Sequence, residues 1–197
     1  MVLLKEFTMI DSQKFLLQSV NILLSSINEL AINDDVELAD IIEAQKASDV
    51  LEEVKKSVLS QGWDFNTDDD WEFAPDIDGY ISIPANILDI ASTDSDIVMR
   101  DWRLYSKKNK SAKFEQAIKC KVIWDMDFNS ISHALRHYIT IRASRIFQYR
   151  MIGDGSQFDF SEEDEHHAYI SARRSDGRTA GYNMLTSFYG IDVDVRG

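Results

Sequence analysis

The chain has 197 residues, 44% of them hydrophobic and 28% charged, an ordinary globular composition with enough apolar material to build a core. Its 34 acidic and 21 basic side chains leave a net charge of −13, which argues against a protein that coats nucleic acid over its whole surface, because neutralising phosphates takes Lys and Arg. Cys120 is the single cysteine, so an intramolecular disulfide and a cysteine-based zinc site are both excluded.

A first helix is expected over residues 11–31, where Leu16, Val20, Leu23, Ile27 and Leu30 recur at helical steps behind Asp11 or Ser12 as N-cap. Its other face (Gln13, Gln18, Ser19, Asn21, Ser25, Ser26, Asn28) is polar but nearly uncharged, which suits either contact with another protein or a plain solvated face. A second helix is expected over residues 37–61 from Ala44, Ala47, Leu51, Val54 and Val58, stopped by Gly62. The polar turn Asn33-Asp34-Asp35 makes the two an antiparallel hairpin.

Between Trp63 and Trp124 the pattern turns to short β-rich runs at residues 71–73, 80–83, 97–105 and 114–124, separated by turn-like breaks. They predict a small antiparallel sheet, with Lys107, Lys108, Asn109 and Lys110 at a hairpin tip and the acidic run Asp68-Asp69-Asp70 in a turn ahead of Trp71. A third helix is predicted over residues 129–152, capped by Asn129 or Ser130 and stopped by Gly153; it is apolar on nearly every side and so belongs in the middle of a bundle or between subunits. A weaker fourth helix follows the capping-box-like Ser161-Glu162-Glu163-Asp164 and is expected to end near Ser175, ahead of an extended tail. The expected architecture is α+β: a helical bundle with an antiparallel sheet inserted between its second and third helices. Its segments are residues 1–62, 63–127, 128–176 and 177–197.

Charge is segregated along the chain. Residues 64–78 hold seven carboxylates and no base; residues 100–121 hold eight bases against Asp101 and Glu115; the third helix carries Arg136, Arg142, Arg145 and Arg150 with no acid. Such blocks either neutralise one another within the fold or complement a neighbouring subunit. Arginines on an apolar helix need carboxylate partners, and Glu162–Glu165 are the nearest candidates for Arg145 and Arg150.

Motifs for chemistry are lacking. His133 and His137 have the i, i+4 spacing of two metal ligands, but Ala134 stands where a zincin needs Glu, and adjacent His166 and His167 point in different directions; ordinary histidines and no metal are expected. Asp68, Asp69, Asp70 and Glu72 lack the alternation of a calcium loop, and nothing pairs them across a cleft as a glycosidase needs. There is no phosphate-binding glycine loop and no nucleophile elbow, so no catalytic residue and no cofactor is assigned. No apolar run reaches the roughly 18–20 residues of a bilayer span, and Lys5 and Glu6 interrupt the place of a signal-peptide core, so a soluble, non-exported chain is expected. Lys107, Lys108 and Lys110 make a compact positive point for a partner or for phosphate backbone, with no aromatic in the turn to read bases.

Four elements together resemble the tail tubular protein A family, the adaptors of short-tailed bacteriophages. They are Gly62-Trp63-Asp64-Phe65-Asn66, then Ala143-Ser144-Arg145-x-Phe147 with Arg150 and Gly153, then Glu162-Glu163-Asp164-Glu165 before the last helix, and finally Gly181-Tyr182-Asn183-Met184-Leu185. Their order and spacing cover residues 16–185. The resemblance implies a non-enzymatic virion protein of the tail or neck, assembled in the host bacterial cytoplasm. It implies a dodecameric ring that binds the portal above and the tubular nozzle protein B below, so that double-stranded DNA passes through without sequence-specific binding. Read physically, Gly62 allows a left-handed helix end that folds Trp63 back onto the helical hairpin while Phe65 faces the sheet, and Tyr182, Met184 and Leu185 either cover the bundle or meet a partner. Two functions of other classes compete: a carboxylate-based glycan hydrolase using Asp68–Asp70, and a DNA-contacting module using the basic hairpin.

Overall fold

The computed structural model describes residues 2–153 and 160–179, with side chains from residue 14 onward and up to residue 178. Its helices are α1 (Val2–Ser25), α2 (Asp35–Asp40), α3 (Ile42–Leu59), α4 (His133–Ile152) and α5 (Glu162–Thr179). The strands β1 (Thr67–Phe73), β2 (Ile87–Ser92), β3 (Ile97–Arg100), β4 (Arg103–Ser106) and β5 (Ile118–Trp124) all lie between α3 and α4. The class is therefore α+β, as expected, with the sheet inserted into a helical bundle. The tail beyond residue 179, including Gly181, Tyr182, Asn183, Met184 and Leu185, lies outside the described residues.

Each helix boundary has a local cause. α1 begins earlier and ends earlier than its periodicity suggested: Asn28 adopts the left-handed conformation (φ 60°), and the Glu29 amide reaches back to the Leu24 carbonyl, closing a Schellman-type end. Leu30, the last member of the predicted seam, is consequently 88% exposed, and Leu24 takes its place in the core. The single second helix divides at Ile41, whose extended backbone (φ −93°, ψ 118°) separates α2 from α3. α2 forms because the Asp34 carboxylate accepts from the Val36 and Glu37 amides, while Glu37 accepts from the Asn33 amide just before the cap. α4 starts at His133 under Ser132, later than expected, because Arg136 ties the preceding loop by donating to the Asn129 and Ile131 carbonyls. α5 begins at the expected box, in which Ser161 and Asp164 exchange hydrogen bonds of 2.9 and 3.1 Å. It runs past Asp176-Gly177 to Thr179 and, at 18 residues, equals α3 in length instead of being the weak helix expected.

α4 is the central helix. It buries Leu135, Ile139, Ala143 and Phe147 against α1, α3 and α5, and burial of the Phe147 ring alone contributes about 2–3 kcal/mol. The polar face of α1 is partly covered by this helix: Thr140 donates to the Ser19 hydroxyl at 2.9 Å, and Gln148 donates to the Ser26 carbonyl at 2.8 Å. These contacts make α1 and α4 parallel, while α3 ends and α4 begins at the sheet. The turn joining α1 to α2 therefore lies at the end of the bundle remote from the sheet.

The sheet region has its own core of Phe73, Ile81, Ile83, Ile87, Leu104, Cys120 and Val122. β5 is the middle strand of an antiparallel β1-β5-β2 sheet, and β3-β4 form a separate antiparallel hairpin. The expected strand over residues 80–83 contributes only isolated bridges, and the run 97–105 folds on itself through Asp101 and Trp102, both at positive φ (50° and 58°). The acidic run Asp68-Asp69-Asp70 is part of β1, not a turn, because β5 supplies the cations: Lys121 lies 3.0 Å from Asp69, and Lys119 stands opposite Glu72.

Bundle and sheet meet at one joint. Gly62 is left-handed (φ 72°), and a Cβ there would lie 3.2 Å from Ile123 Cδ1. Trp63, 1% exposed, donates its indole N–H to the Val58 carbonyl at 2.8 Å. The Asn66 side chain accepts from the Trp63 amide and donates to the Leu59 and Trp124 carbonyls, at 2.9, 3.2 and 2.8 Å. Phe65 packs on the helical core and not on the sheet as expected, because the helical turn Asp64–Asn66 points it back toward the bundle. Asn66→Ala removes a donor from the Trp124 and Leu59 carbonyls and the acceptor of the Trp63 amide, and is expected to cost about 2–4 kcal/mol, seen as a lower urea midpoint with an unchanged slope.

Candidate functional site

The third-helix arginines find their partners inside this chain. Glu165 on α5 accepts from Arg142 at 2.9 Å and also from Arg145, which reaches Glu162 at 3.3 Å as well. Arg150 does not join that acidic cluster. It forms a two-pronged pair with Glu53 of α3 at 2.7 and 2.8 Å. The Glu53 carboxyl is held below its ordinary range by the Arg150 hydrogen bond, against a small opposing effect of burial. Arg136 stacks over the Phe15 ring at 4.0 Å. The helix is thus the middle of one bundle: Arg142, Arg145 and Arg150 pair with carboxylates of this chain, while Arg136 is held by two backbone carbonyls and the Phe15 ring.

The Gly62–Asn66 element is bound into the same arrangement. Arg173 of α5 stacks over Trp63 at 4.0 Å, Tyr169 meets Trp63 edge to face, and the Asp64 amide donates to the Asp176 carboxylate. The structure therefore brings together Gly62, Trp63, Asn66, Arg145 and Phe147 around the α3–α4–α5 contact, and leaves Lys107, Lys108 and Lys110 far along the sheet. At the same joint Lys55, almost fully buried, pairs with Glu52 and Asp125 at 3.0 Å each. Burial alone would lower its pKa, but the hydrogen bonds it donates to these two carboxylates, with their charge, outweigh burial and raise it. Nothing in the pattern of α3 distinguished Lys55 from a solvated lysine, because Asp125 lies in a different element.

The chemical candidates dissolve on inspection. Asp68 accepts from the Trp124 indole at 2.7 Å and Asp69 pairs with Lys121, so the acidic run is spent on strand contacts along an exposed edge. His133 and His137 stack at 6.5 Å, and among the described residues no group of three His, Cys, Asp or Glu side chains is placed to hold a metal ion. Cys120 is buried in β5, and burial pushes its thiol up, away from a reactive thiolate. No described helix is long and apolar enough to cross a membrane.

Lys107, Lys108 and Lys110 stand exposed on a four-residue loop closed by the Ser106–Ser111 bridge, with Lys110 left-handed (φ 51°). The loop is held from below: the Ser106 hydroxyl donates to Asp96 at 2.7 Å and keeps that carboxyl below its ordinary range. Around it the outward face of β3-β4 alternates cations with rings, Arg100 over Tyr105 at 4.3 Å and Arg103 over Tyr80 at 4.6 Å. Sequence reading missed this pairing of charge with aromatics. The alternation Arg103-Leu104-Tyr105-Ser106 was a readable signal for one strand face, but Tyr80 arrives from another segment.

Glu165→Gln is expected to cost about 1–3 kcal/mol, because two partly buried guanidinium groups lose their shared anion. Arg150→Ala should cost less than about 1 kcal/mol, its pair with Glu53 being open to solvent. Chemical denaturation of both variants checks the contrast.

Residues 17–182 match the family described as tail tubular protein, a stretch that takes in the C-terminal part of α1, the whole sheet region and α5. The chain is also similar to tail tubular protein A of Klebsiella phage KP34, with 26% identity over 160 residues, 80% of this chain and 84% of that protein. The match runs through bundle, joint and sheet alike, and the chain belongs to the tail tubular protein family, as a structural component of the phage tail and not an enzyme.

Proposed function

We propose that this chain is the ring-forming adaptor of a short-tailed phage, joining the portal to the tail nozzle and extending the DNA channel between them. The supporting observation is the polarity of the folded chain. An adaptor needs two dissimilar docking faces, and the bundle carries an acidic, apolar corner at one end while the sheet carries a cationic, aromatic face at the other. α2 has no buried residue, and Val36, Ile41 and Ile42 stand exposed at the first of these ends, a poor surface for a protein that works alone. The second end presents Lys107, Lys108 and Lys110 with Arg100 and Arg103, suited to an acidic partner surface.

In this reading a ring of identical copies, twelve by resemblance, binds the portal on one rim and nozzle protein B on the other, in the neck of a virion assembled in the host cytoplasm. The Gly62–Asn66 joint and the arginine-bearing α4 hold each copy rigid. The net charge of −13 lets duplex DNA pass during ejection without adhering, since like charge repels phosphate.

Native mass spectrometry of the chain alone and mixed with the portal of the same phage tests the proposal. A discrete complex with a fixed number of copies per portal ring is expected. Folded protein that ignores an intact portal would overturn it.

A further inference from the structure

Two surfaces of this chain are complementary to each other and too far apart to meet within one copy. The first is the corner of residues 29–43. Glu29, Asp34, Asp35, Glu37, Asp40 and Glu43 surround Leu30, Val36, Ile41 and Ile42 there, and no Lys or Arg occurs in the segment. The second is the outward face of β3-β4 with its neighbouring loop. Arg100, Arg103, Lys107, Lys108, Lys110 and Lys113 lie there against Asp101 as the one acid of residues 100–113. Trp102 stands at the corner of this face, 53% exposed.

Trp102 is the most informative residue of the pair. A two-residue hairpin with both central residues at positive φ is normally built from Asn-Gly or Asp-Gly, and a bulky side chain there is strained. Asp101 obeys the rule and Trp102 breaks it. The hairpin does not need the indole for its turn, because the backbone carbonyl of Trp102 supplies the bond to the Ile83 amide. Trp, Tyr and Arg are the residue types that dominate binding energy at protein interfaces, and here they occur together on one exposed face. Duplex DNA offers such a face mainly phosphates, and its bases only where an indole unstacks them or reaches into a groove, whereas the α2 corner offers both carboxylates and exposed aliphatic side chains.

We propose that the cationic β3-β4 face of one copy docks on the acidic α2 corner of the next, with Trp102 as its apolar anchor. The contact is heterologous, each copy giving one surface and receiving the other, which is the kind of contact that closes into a ring. It rests on the ring reading above and names the two surfaces that build that ring.

Sedimentation of the full chain at low salt reads this contact without the portal, so its failure is distinct from failure to bind a portal. The wild-type chain is expected to self-associate as concentration rises, and less so in high salt. Trp102→Gly, which installs the residue the turn prefers, should keep the melting temperature near wild type and weaken association at least about tenfold. Arg100→Glu/Lys108→Glu and Asp35→Lys/Asp40→Lys should each weaken association similarly, and mixing the two should restore it with the variants alternating. Wild-type chain that stays monomeric at every concentration overturns the proposal. So do folded reversal variants that associate like wild type, or whose mixture does not recover. Steeply salt-dependent binding of a short mixed-sequence duplex that is lost in Arg100→Glu/Lys108→Glu, with self-association unchanged, would assign the face to DNA instead.

Discussion

The structure turns on one buried amide. Bundle and sheet keep separate apolar cores, which touch where Leu88 of β2 packs on the helical one. Beside the Lys55–Asp125 pair, Asn66, 58 residues from Trp124, spans them by joining the last turn of α3 to the end of β5. A helix end and a strand end both leave backbone carbonyls without partners, and burying those groups unpaired is costly. The carboxamide has two N–H donors and one carbonyl, so a single side chain serves both carbonyls and the Trp63 amide. Gly62 sets the direction of approach, because only a left-handed residue without a Cβ reaches past Ile123.

Other features follow from that joint. With Trp63 held against Val58, α5 can close over it through Arg173 and Tyr169, and the start of α5 is thereby brought beside Arg142 and Arg145. Arg142, Arg145 and Arg150 of α4 then find anions within the chain. Among the described residues, one-signed blocks of charge without salt-bridge partners remain at the two ends, acidic at the α2 corner and basic on the β3-β4 face. A tail protein works through such surfaces and not through a cleft, which is consistent with the absence of any catalytic grouping among the described residues.

The fold class, the inserted sheet and the central place of α4 were legible because each depends on local periodicity and on turn or cap residues a few positions apart. The Ser161 box and the Gly62 stop are of this kind. Boundaries went astray where a residue outside the periodic pattern decided them: Asn28 ended α1 early, Ile41 divided a helix whose seam runs on regardless, and Arg136 delayed the start of α4. The acidic run misled for a different reason. Three adjacent aspartates are poor strand formers, and only Lys119 and Lys121 on the neighbouring strand make β1 tolerable there.

The sequence alone determined which side chains carry charge, where the chain turns helical, and that it has no motif for catalysis, because those properties are local. Only the tertiary structure decided which charges cancel. Arg150 meets Glu53 across 97 residues of chain and not the nearer Glu162–Glu165, and Lys55 is buried by an aspartate from a distant loop. Pairing of that sort depends on how helices cross and on what a buried amide holds in place. Sequence distance does not encode it, so the surfaces left for assembly become visible only once the internal pairs have been subtracted.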